Sequence, residues 1–237
     1  IGRAKRLDDA NGRYIEFLKN TFPSKQRLEG LKVVIDCANG ASYLSAPIVF
    51  WELGAEVIQI GVKPDGLNIN KECGSTDTKL LSQKVKENNA DIGLALDGDG
   101  DRLIICDENG EVIDGDQILG LLALQMKDNG TLKNDEVVGT LMTNVGLEKK
   151  LEDNSIGLIR APVGDRYVKE EMLKRKLNLG GEQSGHIILK DFNSSGDGII
   201  VALQVLSILR EKDVKASKLL DTFKPAPQKL MNFKVNS

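Results

Sequence analysis

Six consecutive residues have the types and spacing for chemistry: Asp97-Gly98-Asp99-Gly100-Asp101-Arg102. Three carboxylates within so short a span repel one another unless a positive charge offsets them. A hard divalent cation with oxygen ligands is the natural partner, and the glycines let the backbone fold the acids onto one point. Asp97, Asp99, Asp101 and Glu108 also fit the acidic positions of an EF-hand loop. Arg102, however, stands where that loop needs glycine, and the flanking segments read as strands rather than helices. A phosphatase with an aspartyl nucleophile also places Asp-x-Asp after a strand, but it gives the third Asp and the Arg no task. A solvated acidic turn is the plainest alternative. The apolar runs on both sides favour the cation.

Two further stretches carry possible ligand chemistry. Gly180-Gly181-Glu182-Gln183-Ser184-Gly185-His186 contains the single histidine of the chain. Glu182, Ser184 and His186 alternate, so on an extended loop a carboxylate, a hydroxyl and an imidazole share one face. That set suits a polyhydroxylated ligand; a polar hairpin turn with a surface histidine is the alternative. Val163-Gly164-Asp165-Arg166 opens a predicted helix, whose N-terminal amides and arginine suit a phosphate. A simple helix cap made by Asp165 accounts for that stretch equally well.

The elements that must position these residues are legible around them. Ile92–Leu96 and Leu103–Cys106 are apolar runs that read as buried strands, so the acidic residues form the tight loop between them. Upstream, a helix is expected over the Tyr14, Phe17 and Leu18 region with Asp8 and Asp9 as cap. It is followed by a strand at Leu31–Asp36, a helix ending near Gly54, a strand at Glu56–Ile60 and a helix at Lys79–Asn88. The second half repeats the pattern: a helix from about Asp116 to Lys127, a strand at Val137–Met142, a helix, and a strand at Ile156–Arg160. A strongly apolar helix is expected from Ile199 to Leu209. The expected fold is therefore two related three-layer α/β domains with mixed, mainly parallel sheets, residues 1–110 and 111–225. Residues 226–237 read as a linker.

Composition narrows the classes. The 237 residues are 41% hydrophobic and 28% charged, as in an ordinary globular protein. A net charge of −3 supplies no basic field for nucleic acid. No apolar run is long enough for a membrane span, and no signal peptide is read at the start. Cys37, Cys73 and Cys106 are odd in number and not spaced for zinc, which suits a reducing cytoplasm. The Ile1-Gly2-Arg3 start gives the look of a piece of something longer.

Taken together, these stretches resemble the α-D-phosphohexomutase family. The acidic loop resembles its magnesium loop, and Gly181–His186 resembles its sugar-recognition loop. Gly2-Arg3-Ala4-Lys5-Arg6, Asp36-Cys37-Ala38-Asn39-Gly40-Ala41, Pro64–Asn70 and Val163–Val168 look most like the family's bacterial phosphoglucosamine mutase branch, as does Gln183, where the phosphomannomutase/phosphoglucomutase branch usually carries Met. The resemblance covers domains two and three of a four-domain family fold. The first, with its phosphoserine, and the fourth, with a phosphate-binding loop, are not matched. It implies Mg²⁺ on Asp97, Asp99 and Asp101, and Arg102 as the catalytic residue beside the phosphoryl group. The sugar phosphate would be held by Glu182, Ser184 and His186 with Gly164, Asp165 and Arg166. The implied reaction interconverts glucosamine 6-phosphate and glucosamine 1-phosphate through a 1,6-bisphosphate (of glucosamine or glucose) that serves as intermediate and activator. It belongs to cell-wall precursor synthesis, and a homodimeric parent is within this expectation. A phosphomannomutase/phosphoglucomutase of the same family, or a non-catalytic phosphosugar-binding module, are the competing readings.

Overall fold

The computed structural model describes residues 2, 3 and 7–229. Residues 4–6 of the Gly2–Arg6 motif and residues 230–237 of the expected linker lie outside the described residues.

Two sheets organise the chain. The first contains β1 (Lys32–Asp36), β2 (Glu56–Ile60), β3 (Ile92–Leu96), β4 (Leu103–Asp107) and β5 (Val112–Ile113), in the order β2-β1-β3-β4-β5. Here β1 runs parallel to β2 and β3, while β4 and β5 are antiparallel additions. The second contains β6 (Glu136–Thr140), β7 (Gly157–Ala161), β8 (Leu179–Gly181) and β9 (Ile187–Leu189), in the order β7-β6-β8-β9. Again the first three strands are parallel and the last is antiparallel. β6, β7, β8 and β9 thus repeat the topology of β1, β2, β3 and β4. The expected duplication is present, with β1 and β6 in separate sheets. The short β5 lies beyond residue 110 yet completes the first sheet.

Period-two burial explains the layering. Val33, Ile35, Leu94, Leu96, Leu103 and Ile105 face a central core, whereas Val34, Ala95, Ile104 and Cys106 face outward onto Leu81 and Val85 of helix α3 (Lys79–Asn88). In the second sheet Val137, Ile187 and Leu189 face the same central core, and Val138 and Ile188 face Val168 and Met172 of α6 (Asp165–Arg175). The central cluster therefore runs through both halves. Its middle is α7 (Gly198–Lys212), Gly-Ile-Ile-Val-Ala-Leu-Gln-Val-Leu-Ser-Ile-Leu, which is apolar on nearly all sides because it packs against both β4 and β9. The remaining helices are α1 (Ala10–Asn20), α2 (Ser45–Glu52), α4 (Gly115–Asp128), α5 (Val145–Asp153) and α8 (Ala216–Leu220). Among the described residues no helix is long and apolar enough to cross a membrane.

The expected cap of α1 needs correction. Asp9 occupies the cap position but accepts no hydrogen bond from the first-turn amides. Its carboxylate is taken by Arg13, one turn on, whose Nε donates at 2.8 Å. An exposed i,i+4 ion pair has outcompeted the cap.

Buried acid in α4 sets a pH dependence. Asp114 caps the helix through the amides of Asp116 and Gln117. Asp116 itself is fully buried, accepts only from the Asn144 amide, and leaves Oδ1 without a partner. Burial, with the nearby Asp114 charge adding to it, pushes its carboxyl up from 3.8 to about 6, although the Asn144 bond opposes the shift. Between these values the folded chain holds a proton that the unfolded chain has released. The contribution of Asp116 to stability therefore falls as pH rises through this window, by roughly 3 kcal/mol in full. Asp116→Asn keeps an acceptor for Asn144 without the charge. Denaturant unfolding should show its stability relative to the unaltered chain improving from about pH 4 to about pH 6.5. A difference that does not change with pH would contradict this account.

Candidate functional site

The two chemically suggestive loops occupy equivalent places in the duplicated topology. The acidic loop joins β3 to β4, and Glu182–His186 joins β8 to β9. Both lie at the carboxyl ends of parallel strands, where open α/β sheets present ligand sites. The two hairpins also touch. Arg102 and His186 form an isolated antiparallel bridge, and the Leu103 amide donates to the Gly185 carbonyl at 3.1 Å. Gly185 has φ of +93°, and a Cβ there would run into the Leu103 backbone, so this contact requires glycine twice over.

The acidic loop gathers its carboxylates as expected. Asp97, Asp99 and Asp101 offer oxygens that all lie within 4.8 Å of one another. Asp97 is buried and accepts from the Arg102 amide at 3.1 Å. Its carboxyl is pushed up to about 6, first by burial and then by the charges of Asp101 and Asp99, against the Arg102 bond. Arg102 Nε stands 3.6 Å from Asp97 Oδ2 and 3.8 Å from Asp101 Oδ1, too far for good hydrogen bonds. Asp101 Oδ1 is buried without a hydrogen-bond partner. Converging carboxylates, one with an orphaned oxygen, fit a hard cation such as Mg²⁺.

A second layer of contacts fixes this loop. The Ala41 amide donates to the Gly98 carbonyl at 2.8 Å, and the Ser75 amide donates to the Leu96 carbonyl at 2.9 Å. Both supporting loops are pinned by one buried carboxylate, Asp36, which accepts from Ala38 and Gly74. From the other side, the first amide of α7, at Gly198, donates to the Gly100 carbonyl. Asp197 caps that helix and accepts from Tyr14 Oη at 2.7 Å. Neither Asp36 nor Asp197 was singled out by chemistry in the sequence. The available signal was a charged residue ending a continuous apolar strand, and an Asp-Gly pair opening an apolar helix. Beside Asp99 opens a cleft of about 530 Å³, lined also by Asn39, Gly40, Tyr43, Ile69 and Asn70.

The second loop takes the hairpin form that was its alternative reading, but with its histidine buried rather than at the surface. It is a tight hairpin turn, with the Glu182 amide donating to the His186 carbonyl and the Gly185 amide to the Glu182 carbonyl. The extended arrangement with three side chains on one face therefore does not occur, because pairing of β8 with β9 closes the loop. Ser184 is exposed at the tip, whereas Glu182 and His186 are buried. Glu182 Oε1 accepts from the Gly164 amide at 2.8 Å, which draws the start of α6 to the site. Gly164, with φ of +128°, is the N-cap; Asp165 is the first helical residue, so the expected aspartate cap is absent. Arg166 is highly exposed and its Nε bonds Glu170. His186 Nδ1 lies 3.0 Å from Asp101 Oδ2. Gln183 is likewise occupied, donating to Asp114 Oδ2 at 3.1 Å.

Comparison with known proteins agrees with the duplicated fold. Residues 12–110 match the phosphoglucomutase/phosphomannomutase alpha/beta/alpha domain II, and residues 114–226 match domain III of the same family. A phosphoglucosamine mutase of Rhodospirillum rubrum is 55% identical over 235 residues, covering 99% of this chain and 52% of the relative. The chain thus spans about half the length of the curated relatives it matches. A phosphoglucomutase/phosphomannomutase family protein of Burkholderia thailandensis superposes with a TM-score of 0.83 at 25% identity, over 94% of this chain and 48% of that one. The Aspergillus fumigatus N-acetylphosphoglucosamine mutase, solved with GlcNAc-6P and magnesium, shares the fold at TM-score 0.67 and 21% identity, over 90% of this chain and 54% of that one. Two consecutive domain matches, on a duplicated fold whose equivalent hairpins meet, establish that the chain belongs to the phosphoglucomutase/phosphomannomutase family and carries its α/β/α domains II and III.

Proposed function

We propose that this chain is the central half of a cytoplasmic phosphoglucosamine mutase, interconverting glucosamine 6-phosphate and glucosamine 1-phosphate. The observation that supports it best is the junction of the two hairpins, with acidic loop and Glu182–His186 turn side by side, in a sequence 55% identical to phosphoglucosamine mutases. In this reading residues 1–110 form the domain with the metal loop, 111–225 the domain with the sugar loop, and 226–237 lead onward.

Asp97, Asp99 and Asp101 would hold Mg²⁺, which as a Lewis acid withdraws charge from a transferring phosphoryl group. Arg102 neutralises phosphoryl charge from the adjoining strand start, with the planar fork that suits phosphate. Glu182 retains one oxygen beyond its bond to Gly164, and Ser184 stands exposed at the turn. Together they supply an acceptor and a hydroxyl to sugar hydroxyls. At the start of α6, Gly164 gives its own amide to Glu182, and the amides of Asp165 and Arg166 that follow it are offered to the substrate's phosphate. A 1,6-bisphosphate completes the cycle as intermediate and activator, with a homodimer as the assembled form.

The test is to express the whole open reading frame around this chain, rather than residues 1–237 alone, and supply glucosamine 6-phosphate, Mg²⁺ and a catalytic amount of 1,6-bisphosphate. Glucosamine 1-phosphate should form, and Asp97→Ala should abolish it. Equal or faster turnover of mannose or glucose phosphates would instead favour the phosphomannomutase/phosphoglucomutase branch. Binding without turnover would favour a binding module.

A further inference from the structure

We propose that His186 is a positioning residue of the metal centre, holding Asp101 so that one carboxylate oxygen is left to face the cation. The inference rests on Asp97, Asp99 and Asp101 being the metal ligands, as proposed above. A carboxylate only accepts hydrogen bonds, so at 3.0 Å His186 Nδ1 must carry the proton and donate to Asp101 Oδ2. The other oxygen, Oδ1, is buried without a hydrogen-bond partner, and Arg102 Nε stands 3.8 Å from it. The imidazole therefore engages one oxygen and leaves the other without a hydrogen bond.

The surroundings hold the ring in that role. His186 is 4% exposed, and its backbone is bridged to Arg102, next to Asp101 in sequence. On one side the ring lies against Gly196, where a Cβ would come 2.5 Å from Cε1 and 2.7 Å from Nε2. Two residues on, Gly198 donates its amide to Gly100 of the acidic loop. The histidine thus comes from the second sheet to orient a ligand carried by the first. Partners that orient ligands in this way commonly govern metal affinity by about 10- to 100-fold.

The single histidine makes the test direct, because its imidazole signals in the ¹⁵N-labelled 237-residue chain need no sorting from others. Long-range ¹H–¹⁵N spectra should show the Nδ1–H tautomer. On titration with Mg²⁺ alone, without sugar, these signals should move along the same isotherm that calorimetry records. Asp99→Asn, at an exposed position, should remove both responses. Asp99-dependent heat with unmoved histidine signals would overturn the inference while leaving the metal site standing. Absence of Asp99-dependent heat would overturn the metal site and the inference with it. As a second arm, His186→Asn places an amide nitrogen near the Nδ1 position and His186→Gln near Nε2. The Gln variant should bind Mg²⁺ about tenfold more weakly, and the Asn variant within a few-fold of the unaltered chain. Equal affinities of the two variants would also overturn it. If either fails to fold, the spectra of the unaltered chain decide alone.

Discussion

Residues 1–237 by themselves, mixed with glucosamine 6-phosphate, Mg²⁺ and a catalytic amount of 1,6-bisphosphate, should yield no glucosamine 1-phosphate above background. Enzymatic phosphoryl transfer depends almost wholly on positioning and charge stabilisation, so a well-formed metal site achieves nothing without a donor held in line. The donor that the family resemblance implies is a phosphoserine in a Thr/Ala-Ser-His-Asn-Pro setting, and no such setting occurs in this sequence. Ser184 sits at the tip of the β8–β9 turn, and Ser194-Ser195 lie in the connection leading to Asp197. The sugar would also be held from one side only, by Glu182 and Ser184. Weak phosphosugar binding without isomerisation is the expected result, read by coupled detection of glucosamine 1-phosphate. Turnover by the purified chain that disappears in Asp97→Ala would show that these domains carry their own donor.

How much of this was legible in the sequence depends on the range of the interaction. Ile92–Leu96 and Leu103–Cys106 read correctly as strands because burial on both faces leaves a continuous apolar run. The acidic loop followed from them, since a six-residue connection between paired strands has few ways to place three aspartates. The helix starting near Gly198 was legible for the same reason: a helix apolar on nearly all sides has to be buried. Chain-distant pairings were beyond reach. His186 meets Asp101 across 85 residues, and Glu182 meets Gly164 across 18. Nothing in local pattern says that a carboxylate expected to hold a sugar already holds a backbone amide. The extended form expected of the second loop failed on a shorter-range point. Gly180 and Gly181 masked the strand β8, whose pairing with β9 turns Glu182–His186 into a hairpin. The shared core was hidden because periodicity shows that a face is apolar without showing which element covers it.

A large single-residue effect on the fold is expected at Gly40, and its argument is steric alone. Gly40 has φ of −106° and ψ of −163°, a conformation open to any residue, so Gly40→Ala adds no backbone strain. A Cβ there would nevertheless fall on the Gly98 carbonyl oxygen, far inside van der Waals contact, with the Gly98 carbonyl carbon and Cα at 2.7 Å. All three atoms are backbone, and the same carbonyl accepts the Ala41 amide. Relief therefore requires the turn after β1 to part from the acidic loop. The expected loss is about 3 kcal/mol, at the upper end for overpacking. For a chain of this size that corresponds to a fall in Tm of roughly 10 °C. Gly98→Ala is the matched control on the opposite side of the contact. Its Cβ would meet Ile69 Cδ1 at 2.6 Å and Asn70 Nδ2 at 2.9 Å, both ends of side chains, and Ile69 is 54% exposed and free to turn aside. That substitution should cost less than about 1 kcal/mol. The Mg²⁺ heat should fall in step, strongly for Gly40→Ala and little for Gly98→Ala, since only the first displaces the loop that carries Asp97, Asp99 and Asp101. Equal losses of stability in the two variants would mean that the turn after β1 does not buttress the acidic loop.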